Sequence, residues 1–288
     1  MPALCYITTC KGRLAHLRQS LPRIVAQPDV ACVVVDYSCP EGAGAWVEAT
    51  HPQVRVVRAE GERDFNLSRA RNLGAQAAAA PWLGFFDADI LLDPAFTRTI
   101  VPQLTPGHFY RADPVTSQTW GSVICHRDDF ARIGGYDEAY AGWGGEDDDL
   151  VSMLTMIGRQ VAAFPAELLG EIAHSDEDRT RFYKVKDRRA SSRVNQVYRR
   201  IKLDLLRLLG QPLALADRCA LYAQIERILV AEGNDGGMLP GTVEINLPPL
   251  SYAGLPHNGL SEVLRLQRRM SYTLHRDGTV AVESANPG

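Results

Sequence analysis

Continuous apolar runs alternate with amphipathic helical patterns through the first half of the chain. That alternation confines it to βαβ units, and so to an α/β, Rossmann-like class with a mostly parallel central sheet flanked by helices. Leu4–Thr8 reads as the first strand and Arg13–Gln27 as a helix with Leu14, Leu17, Leu21 and Ile24 on one face. Pro22 kinks or restarts that helix. Val30–Val35 is a β-branched strand ending at Asp36, Val54–Val57 a third strand after a Gly-rich connection through Gly42 and Gly44, and Trp82–Phe86 a fourth. Between the last two, Asn66–Ala80 reads as a helix whose alanines pack a small-residue face on the sheet.

The second half is less regular. Glu146–Ile157 is expected to be a helix, Arg179–Leu209 a longer one with basic residues early and leucines late, and Leu213–Val230 another. A Gly-rich loop follows, and Tyr272–Val282 reads as a hairpin turning at Asp277-Gly278. A boundary near Gly210 then divides the chain into a domain over 1–210 and a helical C-terminal extension over 211–288 with a terminal hairpin. With 288 residues the chain can bury one sizeable core and a small appendage.

Composition excludes several classes. The formal net charge of -3 removes the global basic field of a protein that lives on nucleic acid, so no nucleic-acid partner is expected. Six cysteines without a C-x-x-C pair suit reduced thiols in a cytosol. The start lacks the pattern of a signal peptide, and the uncharged run Leu73–Phe86 is too short to cross a bilayer. A cytoplasmic protein is the expectation.

Two segments carry chemistry. Asp87-Ala88-Asp89 follows the apolar run Trp82–Phe86, at the carboxyl end of a parallel strand, where ligands of open α/β sheets bind. Both carboxylates can face one cation; the ordinary alternative is a pair of solvated acids capping the next helix. In Trp143-Gly144-Gly145-Glu146-Asp147-Asp148-Asp149 two glycines let backbone approach a ligand, the indole offers a wall for a sugar ring, and four acids open a helix. Acids in a first turn suit the helix dipole, which is the ordinary reading. Four exceed what capping requires, and one beside a cleft is a candidate general base with a raised pKa.

Together with Phe65-Asn66-Leu67-Ser68-Arg69-Ala70-Arg71-Asn72, these segments resemble a GT-A glycosyltransferase. The first part resembles inverting family 2; the W-G-G-E-D-D-D segment resembles that of β-1,4-galactosyltransferases and chondroitin-type polymerases. The resemblance implies that Asp87 and Asp89 hold a divalent metal against the donor diphosphate. It implies Asp147 as the base, Glu146 as the residue orienting a sugar, and Trp143 as a wall of the sugar site. A histidine completes the metal site in that group, and His174-Ser175-Asp176 fits its context. Thr8 and Thr9 would meet the ribose or diphosphate, Asp36 the uracil edge, and Arg71 and Arg69 the base or phosphates. For Asp36 a turn-forming role before Ser38 and Pro40 is the alternative. Lys11 and Arg13 are further candidates for phosphate contact.

The activity so implied is metal-dependent, inverting transfer of a hexose or hexuronic acid. The donor is a UDP-sugar, and the acceptor hydroxyl belongs to a glycan, lipid-linked or small-molecule acceptor. Imidazole beside two carboxylates favours Mn²⁺ over Mg²⁺. Other function classes compatible with such a core are a sugar-nucleotide nucleotidyltransferase and a non-catalytic sugar-binding module. The basic 179–202 segment is either a solvated helix face or a peripheral contact at the inner face of the membrane.

Overall fold

The computed structural model describes residues 2–116, 119–173, 175–230, 241–246, 250–253, 263–266, 269–274 and 280–285. They form two compact units that part between Arg188 and Arg189. The first contains, in chain order, β1 (Leu4–Cys10), α1 (Leu14–Val25), β2 (Val30–Tyr37), α2 (Ala43–Thr50), β3 (Arg55–Ala59), α3 (Leu67–Ala77) and β4 (Trp82–Phe85). There follow β5 (Ile90–Leu92), α4 (Phe96–Ile100), β6 (His108–Asp113), β7 (Val123–His126), α5 (Arg127–Arg132), α6 (Glu146–Met156), β8 (Gln160–Pro165), β9 (Leu169–Glu171) and α7 (Asp176–Thr180).

Seven strands make the central sheet in the order β3-β2-β1-β4-β7-β6-β8. The four strands read from sequence are mutually parallel; β7 runs antiparallel to both β4 and β6, and β8 lies parallel to β6. Strand alternation sends Leu4, Tyr6 and Val34 into one core cluster and Cys5, Ile7, Val33 and Val35 into the other. A sheet buried on both faces needs no polar side, which is why these strands read as unbroken apolar runs.

Close packing of α3 fixes where its arginines lie. The Asn66 side chain caps this helix by accepting from the Arg69 amide at 2.9 Å. At Gly74 a Cβ would come within 2.4 Å of the Ile7 Cγ2 and 3.1 Å of the Val35 Cγ2, so glycine lets the helix sit directly on β1 and β2. Gly74→Ala is therefore expected to cost about 1–3 kcal/mol, the usual toll of overpacking, read as a lowered urea midpoint. An unchanged midpoint would contradict this packing.

Several elements differ from the sequence reading. The Gly-rich connection holds α2: Gly42 caps it at φ +69°, and a Cβ on Gly44 would meet the Asp36 carboxylate at 2.7 Å. The long helix expected from Arg179 is broken. Ser175 and Asp178 form a capping box on the short α7, and the chain then leaves helical geometry because the Phe182 carbonyl accepts from the Phe65 amide at 2.8 Å.

The helix resumes as α8 (Arg188–Leu209), most of which belongs to the second unit, so the units part at its head and not near Gly210. In this unit α9 (Leu215–Val230) pairs with α8 through the Tyr222 hydroxyl, which donates to the Asn195 Oδ1 at 2.6 Å. Among the described residues of 211–288, helix is confined to α9. After α9 the described residues are strands: β10 (Gly241–Asn246), β11 (Leu250–Ala253), β12 (Val263–Leu266), β13 (Arg269–Leu274) and β14 (Val280–Ala285). The strands β13 and β14 pair antiparallel with Leu274 opposite Val280; the expected Asp277-Gly278 turn lies outside the described residues. Among the described residues no helix is long and apolar enough to cross a membrane.

Candidate active site

The carboxyl edge of the parallel strands gathers the chemistry. Asp87 and Asp89 follow β4, Thr8 and Thr9 end β1, and Asp36 lies opposite Cys10 on β2. On the far side of β4, the glycines of the acid motif are conformationally required. Gly144 and Gly145 stand at φ +82° and +91°, and the turn they make starts α6 with Glu146 and Asp147 buried.

Arg71 organises these parts. Its Nη1 donates to the Asp147 Oδ1 at 2.6 Å and stands 3.7 Å from the Glu146 Oε1; its Nη2 donates to the Asp87 Oδ1 at 2.9 Å. The guanidinium is buried and lies 4.9 Å from the centroid of the Tyr136 ring. That ring is held from a distance in sequence. The Asn72 side-chain amide donates to the Tyr136 carbonyl and accepts from the Tyr136 amide, both at 2.9 Å. The clamp is close because Gly135, at φ +75°, carries no Cβ that would strike the Asn72 Oδ1.

Electrostatics follow from one cation facing three acids. With all ionised, Arg71, Asp87, Glu146 and Asp147 would sum to two negative charges in a mostly buried cluster. Burial, then Asp147, push the Glu146 carboxyl well above its ordinary value, against the lowering pull of Arg71. Burial likewise raises Asp147, with Arg71 opposing. The Arg71 guanidinium is held charged, because the field of Asp147, Tyr136, Asp87 and Glu146 outweighs the burial that opposes it. The Glu146 Oε2 is buried without a hydrogen-bond partner among the described residues.

Other expected site residues are placed less centrally. Asp89 pairs with Arg13 at 3.2 Å, and Arg69 with Glu62 at 3.2 Å toward solvent, away from the Arg71 cluster. The Asp36 Oδ1 accepts from the Cys39 amide and its Oδ2 from the Gly44 amide, both at 2.7 Å, so it carries the turn-forming role and starts α2. Thr8 is buried with its Oγ1 unpartnered among the described residues, and Thr9 is buried beside it. Trp143 is half-buried, with the Arg188 guanidinium 4.2 Å and that of Arg179 6.0 Å from its ring centroid. Lys11 gives its ammonium to the carbonyls of Glu62 at 2.6 Å and Tyr37 at 3.2 Å, so it ties backbone segments together. His174 lies outside the described residues.

A divalent cation suits the donor set to this extent: Asp87 keeps its Oδ2 clear of Arg71, and Asp89 stands two residues on with a second hard-oxygen group. Among the described residues no group of three His, Cys, Asp or Glu gathers as a metal cage.

The sequence reading missed Tyr136, Gly121 and Tyr183. A Cβ on Gly121 would lie 2.8 Å from the Arg71 Nη2, 3.1 Å from the Asp147 Oδ2 and 3.4 Å from the Asp87 Oδ2, so this glycine closes the cluster from the loop before β7. The buried Tyr183 phenol is held protonated by burial first and then by the charges of Glu146 and Asp87. The Gly134-Gly135 pair before Tyr136 was the one visible signal for a tight backbone approach.

Comparison with known proteins agrees with this geometry. Residues 5–119 match the glycosyl transferase family 2 model, and residues 108–178 match that described as the N-terminal domain of galactosyltransferase. The first match carries Asp87 and Asp89, the second the acid motif. The chain has the GT-A fold, and its two matched segments resemble glycosyltransferases. Beta-1,4-galactosyltransferase 2 of Mus musculus is 26% identical over 196 residues, 58% of this chain and 53% of that protein. The Homo sapiens counterpart is 28% identical over 137 residues, 41% of this chain and 37% of its own length. The chain thus spans about half, or less, of the length of these relatives.

Among solved structures, a mannosyltransferase of Pyrobaculum calidifontis in complex with GDP-Man and Mn²⁺ superposes with a TM-score of 0.51 at 16% identity, covering 82% of this chain and 76% of that one. S. aureus TarS 1-349 in complex with UDP-GlcNAc gives 0.53 at 12% identity, covering 79% and 73%. At such identities the likeness is one of fold.

Proposed function

We propose that the protein transfers a hexose or hexuronic acid from a UDP-sugar to a hydroxyl of a glycan, lipid-linked or small-molecule acceptor, with inversion at the anomeric carbon. The observation that carries this reading is the Arg71 bridge, which joins Asp87 at 2.9 Å and Asp147 at 2.6 Å into one cluster. The acid that would face the donor diphosphate and the acid that would face the acceptor hydroxyl thus share a single counter-ion.

In this mechanism Asp147 accepts the proton of the attacking hydroxyl through its Oδ2, while Arg71 holds the Oδ1 and fixes the carboxylate's orientation. Glu146, buried beside it, orients the sugar. Asp87 and Asp89 would hold Mn²⁺ or Mg²⁺, whose charge would stabilise the departing diphosphate. Thr8, Thr9 and the backbone around Asp36 line the nucleoside side at the ends of β1 and β2, and Trp143 forms a wall of the sugar site. One base on the face opposite the leaving group suffices for direct displacement. The resemblance also assigned His174 to the metal and Arg69 to the nucleotide; the Arg69–Glu62 pair on the rim favours a peripheral part for Arg69. The reading places the enzyme in the cytoplasm, with the basic 179–202 segment either a solvated helix face or a peripheral contact at the inner membrane face.

Coupling between metal and nucleotide tests the shared site. UDP at about a hundredfold above its Kd should stabilise the fold by roughly 2.7 kcal/mol, and the shift should be large with Mn²⁺ and small without it. Asp89→Ala should remove most of the metal-dependent increment. A screen of UDP-, GDP- and dTDP-sugars by the same thermal shift fixes the donor, and transfer that persists in chelator would refute the metal assignment.

A further inference from the structure

Trp120 stands where a soluble protein rarely leaves an indole. It is 42% exposed, in the loop before β7, next to the glycine that closes the acid cluster. Two residues hold it. The Trp120 Nε1 donates to the Asp148 Oδ1 at 2.9 Å, so the ring is tied to the residue after the proposed base. The Arg111 guanidinium lies 5.0 Å from the ring centroid, and its Nη2 donates to the Trp120 carbonyl at 3.0 Å. An exposed aromatic ring whose edge and one face are both engaged loses little conformational entropy when something stacks on its other face.

We infer that Trp120 is the platform on which the acceptor's sugar ring stacks, one residue from the glycine that lies against Asp147. This rests on the transfer reading above and adds the acceptor's place in it. A pyranose has an apolar C–H face and a rim of hydroxyls, so a flat indole beside a carboxylate matches it face and edge. The Gly121 position decides the rest. A Cβ there would stand 3.1 Å from the Asp147 Oδ2, so the loop that carries Trp120 passes directly against the proposed base. Trp143 cannot offer the same surface unaided, since the Arg188 guanidinium is stacked 4.2 Å from its centroid. With the Asp148 carboxylate held at the edge of the platform, the acceptor so described is a neutral or N-acetylated glycoside.

The test reads binding and needs no turnover. The full chain, labelled with 5-fluorotryptophan, has four tryptophans, of which Trp46 and Trp82 serve as controls. In the presence of UDP and Mn²⁺ it is titrated with the methyl β-glycosides of N-acetylglucosamine, glucose, galactose and glucuronic acid, and the Trp120 ¹⁹F resonance is assigned with Trp120→Phe. At least one neutral glycoside should move that resonance. Its affinity should fall by about tenfold or more in Trp120→Ala and by less than about threefold in Trp120→Phe, which keeps a flat ring. The inference is overturned if no neutral glycoside moves the Trp120 resonance, if Trp143 alone responds, or if Trp120→Ala binds as tightly as the unmodified chain. The UDP and Mn²⁺ thermal shift reads the transferase assignment separately, so a normal shift with a silent Trp120 would discard the platform and leave the donor site standing.

Discussion

Asp147→Asn is expected to lower turnover by about two to four orders of magnitude, the usual worth of a general base. The substitution keeps shape and keeps an oxygen for the Arg71 Nη1, which now lies 2.6 Å from the carboxylate, so the fold and the UDP shift should persist. What disappears is the ability to take a proton. The pH profile supplies the second signature. Burial raises the Asp147 pKa above the ordinary aspartate value, only partly offset by Arg71, so the acid limb of kcat/KM should lie above the usual aspartate range. Activity should rise with pH through that limb, because the base works deprotonated. Since Glu146 sits in the same cluster and is raised as well, the limb reports the pair and not one residue. Stability runs the opposite way. Groups whose folded pKa is raised contribute most below the unfolded value, and that contribution is lost as pH rises through the folded one. An Asp147→Asn variant with near-normal turnover and an unshifted acid limb would remove Asp147 from the chemistry.

The parts of this molecule that were legible in sequence are those whose physics is local. The strands β1, β2 and β4 announced themselves because a parallel strand covered on both faces is apolar throughout, and the position of Asp87 followed from the end of one of them. Gly144 and Gly145 showed where backbone turns, and the acids after them where a helix starts. The counter-ion was not legible. Helical spacing places Arg71 on α3 but says nothing of its partners, which are set by the Asn72 clamp on Tyr136 and by Gly121, both remote in sequence. For the same reason Asp36 left two readings open in sequence: a carboxylate at a strand end can face a base or its own turn, and here it accepts from the Cys39 and Gly44 amides. The break before α8 is likewise tertiary, since an amide across the fold takes the Phe182 carbonyl that the helix would have used. The strand β7 has four residues and runs straight into α5, too little pattern to separate from noise.

Arg71→Ala should be the most damaging single change to stability, at about 3–5 kcal/mol, because removing one partner of a buried ionic cluster leaves the others unpaired. Three carboxylates would remain: Asp87 and Asp147, which now accept from the guanidinium, and Glu146, which stands 3.7 Å from it. Asp87 already reaches water with 41% of its side chain exposed, but Glu146 and Asp147 could not do so without opening α6. The variant's deficit should depend on pH in a direction that the charges dictate. Without the cation, Glu146 and Asp147 lose the one influence of Arg71 that lowers their pKa values, so both should rise further. Their ionisation at neutral pH would then cost more than in the unmodified chain. Lowering the pH protonates them and removes the repulsion, so the gap between the two urea midpoints should be widest at neutral pH and narrow as the solution is acidified. Arg71→Lys separates charge from geometry: one ammonium can meet Asp147 or Asp87 but not span both as the planar fork does, so it should recover part of the stability and little of the turnover. A deficit that stays constant with pH would mean that Arg71 acts through packing on Tyr136, and that the acids on either side of it are not coupled through its charge.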